Sequence, residues 1–349
     1  MTIPKTMKAA RFYEVNTPLK IEEVPVPEIK EDEVLVRVKS VGLCGSDIHM
    51  VFEGEMRPPF TPIIIGHEPS GVVAQTGAGV TDWEIGTRVS IYPIIYCGSC
   101  SNCVAGHSEI CYHQQVLGVH RDGALAEYIA VPARNLIKLP DGVPFPIGSV
   151  VTDAVSTPFH ALIERAELQT GESIAIYGVG GLGLHAVQIA KIAGAKQIIA
   201  IDVLDTQLAK AKELGADVVI NPKFENPVEV IRKTTGGGVD VAAEFIGLQE
   251  TISQAADSVR MGGRIVVSGV GYEPIQLMSA VKFVRKQLTF YGSYGQTKNT
   301  VEKLIQLVVN GRLHLEESIT HRFQLEEVNT ALEHLHKKID NPTRILIEM

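Results

Sequence analysis

The sequence predicts an α/β protein in which a β-rich domain is interrupted by a doubly wound, parallel-sheet domain. Three observations carry that expectation. Residues 1–150 read as short β-branched runs punctuated by proline and glycine. From Ser173 onward, continuous apolar runs alternate with helical stretches. The chain then closes on two helical patterns and a strand, a tail too short to fold alone.

The elements follow in order. Val34–Val41, Gly71–Ala74, Arg88–Tyr92 and Ala126–Val131 are strand signals. The texture changes near residue 155, which sets expected domains of 1–155 with 293–349, and 156–292. Ile174–Tyr177 is a buried strand, Leu182–Ile192 a helix and Ile198–Ile201 the next strand. Thr206–Leu214 is a helix that ends at Gly215, followed by a strand at Asp217–Ile220. Val239–Phe245, Arg264–Ser268 and Leu288–Tyr291 supply three more strands. Helices at Val301–Val309 and Glu326–Lys337 and a strand at Arg344–Ile347 should return to the first domain.

With 349 residues, 45% apolar and 21% charged, the chain has the balance of a soluble globular protein of two domains. A formal net charge of −8 without a basic run argues against general nucleic-acid binding. No apolar run approaches the ~18 residues of a membrane span, and the first residues lack the apolar core of a secretory signal. These features predict a cytoplasmic protein, where cysteines favour metal ligation over disulfides.

Gly178-Val-Gly180-Gly181-Leu182-Gly183 matches G-x-G-x-x-G between an expected strand and an expected helix. Gly178 permits a tight turn, Gly180 lets backbone approach a pyrophosphate, and Gly183 lets helix and sheet pack closely. Asp202 ends the next strand, where a carboxylate accepts hydrogen bonds from ribose hydroxyls and repels a 2′-phosphate. No cation follows it at Val203 or Leu204, which favours NAD(H) over NADP(H). The bland alternative is a structural turn followed by a surface aspartate.

Cys97, Cys100, Cys103 and Cys111 form C-x₂-C-x₂-C-x₇-C, a closed four-thiolate pattern that suits a structural zinc. An iron–sulfur cluster and disulfides are the rival readings. The zinc lobe would span about residues 95–113. Cys44 stands apart, in Gly42-Leu-Cys44-Gly-Ser46-Asp47-Ile-His49, shortly before His67 and Glu68. One cysteine, one histidine and a third group make an open site of the catalytic kind. Asp153, near the expected domain junction, is the candidate third ligand. Glu68 is an occasional ligand or a supporting partner, and Asp47 a candidate to fix the His67 tautomer. Taken singly, a lone buried cysteine is often a small apolar filler and a lone histidine a satisfied core group.

The whole chain resembles the zinc-dependent medium-chain alcohol dehydrogenases, including the polyol dehydrogenases. Gly66-His67-Glu68-Pro-Ser-Gly71 with Gly77 and Val80, the four-cysteine lobe, and the Gly178–Gly183 turn with Asp202 carry the likeness. It implies a GroES-like catalytic domain interrupted by a Rossmann domain. It implies a catalytic zinc on Cys44, His67 and Asp153, with Ser46 on the substrate hydroxyl and His49 at the outer end of a proton relay. It also implies Arg344 at the coenzyme pyrophosphate, and Ile246, Gly269, Val270 and Ser293 along the coenzyme path. Two departures stand out: Asp153 replaces the second cysteine of many relatives, and Gly45 replaces a basic residue of some.

The implied activity is reversible oxidation of an alcohol to a ketone or aldehyde with NAD(H), using two zinc ions per chain. Ile48, Phe52, Ile94 and Phe159 suggest an apolar pocket for a secondary or cyclic alcohol. A sorbitol-like polyol and a cyclic hydroxyacyl-CoA are alternative substrates, and a non-catalytic NAD-binding protein is the remote rival. The implied assembly is a homo-oligomer, a tetramer rather than a dimer.

Overall fold

The structure, a computed structural model, describes residues 3–349. The chain divides into two units, one running to Asp153 and resuming with Thr297–Met349, the other Ala154–Gln296. The divisions fall two and four residues from the sequence boundaries at 155 and 293. The first falls inside a run of α- and π-helical turns from Phe145 to Arg165.

The first unit is built on the long strand Glu33–Leu43. Glu68–Thr76 pairs along it antiparallel on one side. On the other, Tyr128–Pro132 takes the first half and the final strand Arg344–Glu348 takes the second. This strand is buried almost throughout, from Val34 to Leu43, which explains its dense Val and Leu content. The helix Val328–Lys337 sends Val328, Ala331 and Leu332 into the same core at helical spacing. A strand at Ile319–Gln324 was not legible beforehand. It forms the sheet edge, parallel to Arg344–Glu348, and none of its residues is fully buried, so it has no apolar run to betray it.

The second unit holds six parallel strands. In spatial order they are Val218–Ile220, Gln197–Ile201, Ser173–Tyr177, Val239–Glu244, Val259–Val267 and Thr289–Gly292. Numbered along the chain this is 3-2-1-4-5-6, the doubly wound dinucleotide order. The order reverses between Ser173–Tyr177 and Val239–Glu244. Helices at Pro227–Thr235, Gln249–Ser258 and Ala280–Lys286 complete the crossovers. Among the described residues no helix is long and apolar enough to cross a membrane.

One carboxylate clamps the middle of this sheet. Asp240 Oδ2 accepts from the Ser173 amide and hydroxyl, both at 2.7 Å, and Oδ1 accepts from Arg260 Nε at 2.6 Å. Burial opposes the charge, yet the Ser173 donors and Arg260 outweigh it and bring the Asp240 carboxyl down to about 2. Because it titrates lower folded than unfolded, its contribution is complete above pH ~4 and fades as pH falls toward 2. Asp240→Asn should therefore cost about 2 kcal/mol at pH 7. Urea unfolding at pH 7 and at pH 3 should show the gap between wild type and variant narrowing in acid.

Candidate functional site

The metal-ligand candidates of the first unit converge. Cys44 follows the central strand and caps the short helix Gly45–Ile48, with its amide donating to Asp47 Oδ2 at 2.8 Å. His67 follows Gly66, whose φ of +93° and contact with Leu125 leave no space for a side chain. Asp153 sits in the π-helical turn Val151–Val155. The ligand atoms of Cys44, His67, Glu68 and Asp153 all lie within 4.8 Å of one another.

The spacing suits one small cation. A tetrahedral zinc with bonds of about 2.0–2.3 Å sets its ligand atoms roughly 3.3–3.8 Å apart. Here Cys44 Sγ and Asp153 Oδ2 are 3.4 Å apart, and His67 Nε2 and Asp153 Oδ2 3.9 Å. The electrostatics agree. Burial, then Asp153, pushes the Cys44 thiol up. Burial alone would push the His67 imidazole down, but Cys44, Asp47 and Asp153 more than reverse that. A cluster of buried groups that would all be anionic or electron-rich is short of positive charge, which is what a divalent ion supplies.

Glu68 has a different partner. Its carboxylate is fully buried, and Arg344 Nη1 lies 3.3 Å from Oε1 and 3.2 Å from the Leu43 carbonyl. Burial, opposed by Arg344, lifts the Glu68 carboxyl to about 7. A Cβ at Gly42 would collide with Glu68 Oε2, so that glycine makes the space. Arg344, expected at a coenzyme pyrophosphate, is held within its own chain through Nη1. The side chain is itself buried, and its observed partners are Glu68 and Leu43 beside the metal-ligand group. Asp47 faces the other ring nitrogen of His67. It lies 3.8 Å from His67 Nδ1, an ion-pair distance rather than a hydrogen bond.

Ser46 and His49 share the helical turn that starts at Cys44. Ser46 Oγ lies 3.8 Å from Cys44 Sγ. His49 is half-buried, with Nδ1 2.5 Å from Glu53 and 3.3 Å from Glu55. Ile48 and Ile94 are buried, whereas the Phe52 ring lies flat on His336 at 4.4 Å.

The four remaining cysteines form a compact tetrahedron of sulfurs. Their separations are 3.5 Å (Cys100–Cys103), 3.5 Å (Cys97–Cys111), 3.9 Å (Cys100–Cys111) and 4.0 Å (Cys97–Cys103). Thiolates on a single zinc stand about 3.8 Å apart, whereas a disulfide needs ~2.05 Å. The room is for one ion, not a multi-iron cluster. Amides of Ser99 and Cys100 point at Cys97 and draw its thiol down to about 5, while burial and the other thiols push Cys103 up to about 12. Arg134 ties the lobe down through the Cys97 carbonyl at 3.3 Å and the face of Tyr96 at 5.6 Å.

In the second unit the remaining coenzyme candidates gather at the carboxyl ends of the parallel strands. Gly178, Asp202, Ile246, Gly269 with Val270, and Ser293 follow five different strands. Gly178 has φ +84°, a Cβ at Gly183 would collide with the Gly178 carbonyl, and Gly180 is open. Gly181 and Leu182 lead into the helix Gly183–Ile192. Asp202 accepts from the amides of Val179 and Leu204, both at 3.0 Å, and so fixes the turn as well as the strand end. Ile246 and Val270 are exposed at the rim, and the buried Ser293 Oγ has no hydrogen-bond partner. Sequence reading missed Glu244. Its buried carboxylate accepts from the Ile246 and Gly247 amides at 2.9 Å and from Thr251 at 2.7 Å, which pins this rim. The signal was an acid closing the otherwise apolar run Val241-Ala-Ala-Glu244.

Residues 30–141 match the alcohol dehydrogenase GroES-like domain family, and residues 181–310 match the zinc-binding dehydrogenase family. An L-threonine 3-dehydrogenase of Bacillus velezensis is 36% identical over 321 residues, 91% of this chain and 92% of that protein. A sorbitol dehydrogenase of Bacillus subtilis is 34% identical over 336 residues, 95% of this chain and 94% of that protein. The crystal structure of a zinc-binding dehydrogenase from Sinorhizobium meliloti 1021 bound to NADP is similar with a TM-score of 0.90 and 28% identity, covering 99% of this chain and 100% of that one.

The Glu68–Arg344 pair generates a test. Arg344→Met strands a buried carboxylate and should cost about 3–5 kcal/mol. Glu68→Gln in the same chain should restore most of that loss in denaturant unfolding. Additive losses would mean that the two side chains do not act as a pair.

Proposed function

The chain belongs to the zinc-dependent medium-chain alcohol dehydrogenase family, a family of oxidoreductases, and we propose that it moves a hydride reversibly between a secondary alcohol and NAD(H). The observation that carries this reading is the convergence of Cys44, His67 and Asp153 next to the Ser46 hydroxyl. A zinc ion on those three donors would act as a Lewis acid toward the substrate oxygen. A second zinc on Cys97, Cys100, Cys103 and Cys111 would brace the lobe, giving two per chain.

Each chain residue then has a task. Ser46 Oγ, beside the ligand group, accepts the substrate hydroxyl proton and passes its own on. His49, three residues further along the same turn, takes that proton outward, and its exposed edge and the Glu53 and Glu55 carboxylates deliver it to water. Glu68 stays with Arg344 and holds the floor of the site rather than joining the ligands. The Gly178–Gly183 turn and the helix after it offer free amides to a pyrophosphate. Asp202, with no cation at Val203 or Leu204, supports NAD(H) over NADP(H).

L-Threonine and sorbitol, which name the two relatives, both carry a secondary carbinol beside polar groups. A polyol or a hydroxy amino acid therefore stands beside a secondary or cyclic alcohol as a candidate substrate. A panel of 2,3-butanediol, sorbitol, L-threonine and cyclohexanol with NAD separates these. A reducing, cytoplasmic setting suits five free cysteines. Exposed Tyr272, Ile275, Val281 and Val284 on the second unit support self-association, for which we favour a tetramer.

Two outcomes test the chemistry. Cys44→Ser should lose one zinc equivalent and all turnover while keeping the circular dichroism spectrum of the wild type; retained turnover would dismiss the site. His49→Gln should slow turnover most below neutral pH, with partial rescue by added external base. A pH–rate profile equal to that of the wild type would remove His49 from the relay.

A further inference from the structure

We propose that the first unit carries an additional divalent transition-metal site, built from His321, His334 and Asp340 and separate from both cysteine sites. Three elements bring these residues together. His321 lies on the edge strand Ile319–Gln324. His334 lies in the last turn of the helix Val328–Lys337. Asp340 lies in the turn that follows, where Lys338, Asp340 and Asn341 all take left-handed backbone, with φ of +52°, +56° and +50°. One ligand atom from each of the three side chains falls within 4.8 Å of the others.

A second observation points to a cation. Nδ1 of His334 is buried and has no hydrogen-bond partner, an expensive state for an imidazole nitrogen. His321 Nδ1 is 3.0 Å from the Thr320 hydroxyl, so its orientation is fixed from one side and Nε2 is the other nitrogen. This is the arrangement in which one ring nitrogen is held by a neighbour and the other serves a metal. The helix carboxyl end adds partial negative charge at the same place. Two imidazoles and a carboxylate suit zinc, nickel or copper(II) rather than magnesium or calcium.

The bland reading is an aromatic cluster. His321 stacks near Phe323 at 6.4 Å, and His334 meets Phe323 edge-on at 5.4 Å and His321 at 5.8 Å. Ring packing accounts for those contacts. It accounts neither for Asp340 closing the third side nor for the unpartnered buried nitrogen. An ion here would tie the edge strand, the helix end and the turn together, and so would raise stability by mass action.

The test uses the protein as purified with its own metal, exchanged into chelator-free buffer and titrated with Zn²⁺ alone. Bound zinc is counted by elemental analysis after desalting, and Tm is read with and without added Zn²⁺. Wild type should bind one equivalent more than His334→Gln or Asp340→Asn, with affinity at least about tenfold above either variant. Added Zn²⁺ should raise Tm in wild type alone. Asparagine tolerates the left-handed turn at position 340, so Asp340→Asn is expected to fold normally. Equal zinc counts in wild type and Asp340→Asn, or a Tm rise that survives both substitutions, would overturn the proposal. Because the reading is a difference between chains, it stands or falls independently of the zinc held by the cysteines.

Discussion

Negative charge packed away from water is the constraint from which the first unit is built. Cys44, Asp153 and Glu68 meet beside His67 at the end of the central strand, where burial disfavours their charged forms and pushes the Cys44 thiol and the Glu68 carboxyl up. The fold resolves part of this by burying Arg344 against Glu68. It leaves the thiol, the imidazole and the Asp153 carboxylate facing one another at distances that fit a single ion. The surrounding devices serve that arrangement. Gly66 and Gly42 clear space, Asp47 holds the Cys44 amide, and a π-helical turn presents Asp153.

The second unit solves a different problem, the holding of a dinucleotide. Parallel strands end together, so their loops collect at one rim. Carboxylates then fix those loops from beneath. Asp202 takes two amides at the glycine-rich turn, and Glu244 takes two more beside Ile246. Asp240 does the same work at the opposite ends of the strands, where it joins Ser173 to Arg260. Backbone amides held by side-chain carboxylates thus recur at both ends of these strands.

Much of this was legible in the sequence because the signals were local. The Gly178–Gly183 turn, the cysteine spacing and the buried Val/Ile strands depend on neighbours in the chain. What escaped was non-local. Arg344 and Glu68 are 276 residues apart, and nothing in either segment announces that they pair. The edge strand Ile319–Gln324 alternates half-buried with exposed residues and buries nothing fully, so no apolar run marks it. The boundary at Asp153 falls inside a helical run, two residues from where the change of texture placed it. Glu244 was readable in principle, as a lone acid closing an apolar strand. The stack of Phe52 on His336 is likewise a contact between distant segments that no local pattern announces.

Anomalous diffraction at the zinc absorption edge, from crystals of the metal-loaded protein, tests the central claim most directly. The account predicts a peak within bonding distance of Cys44 Sγ, His67 and Asp153, with Glu68 still turned to Arg344. Ordered side chains at those positions with no zinc signal among them would contradict it.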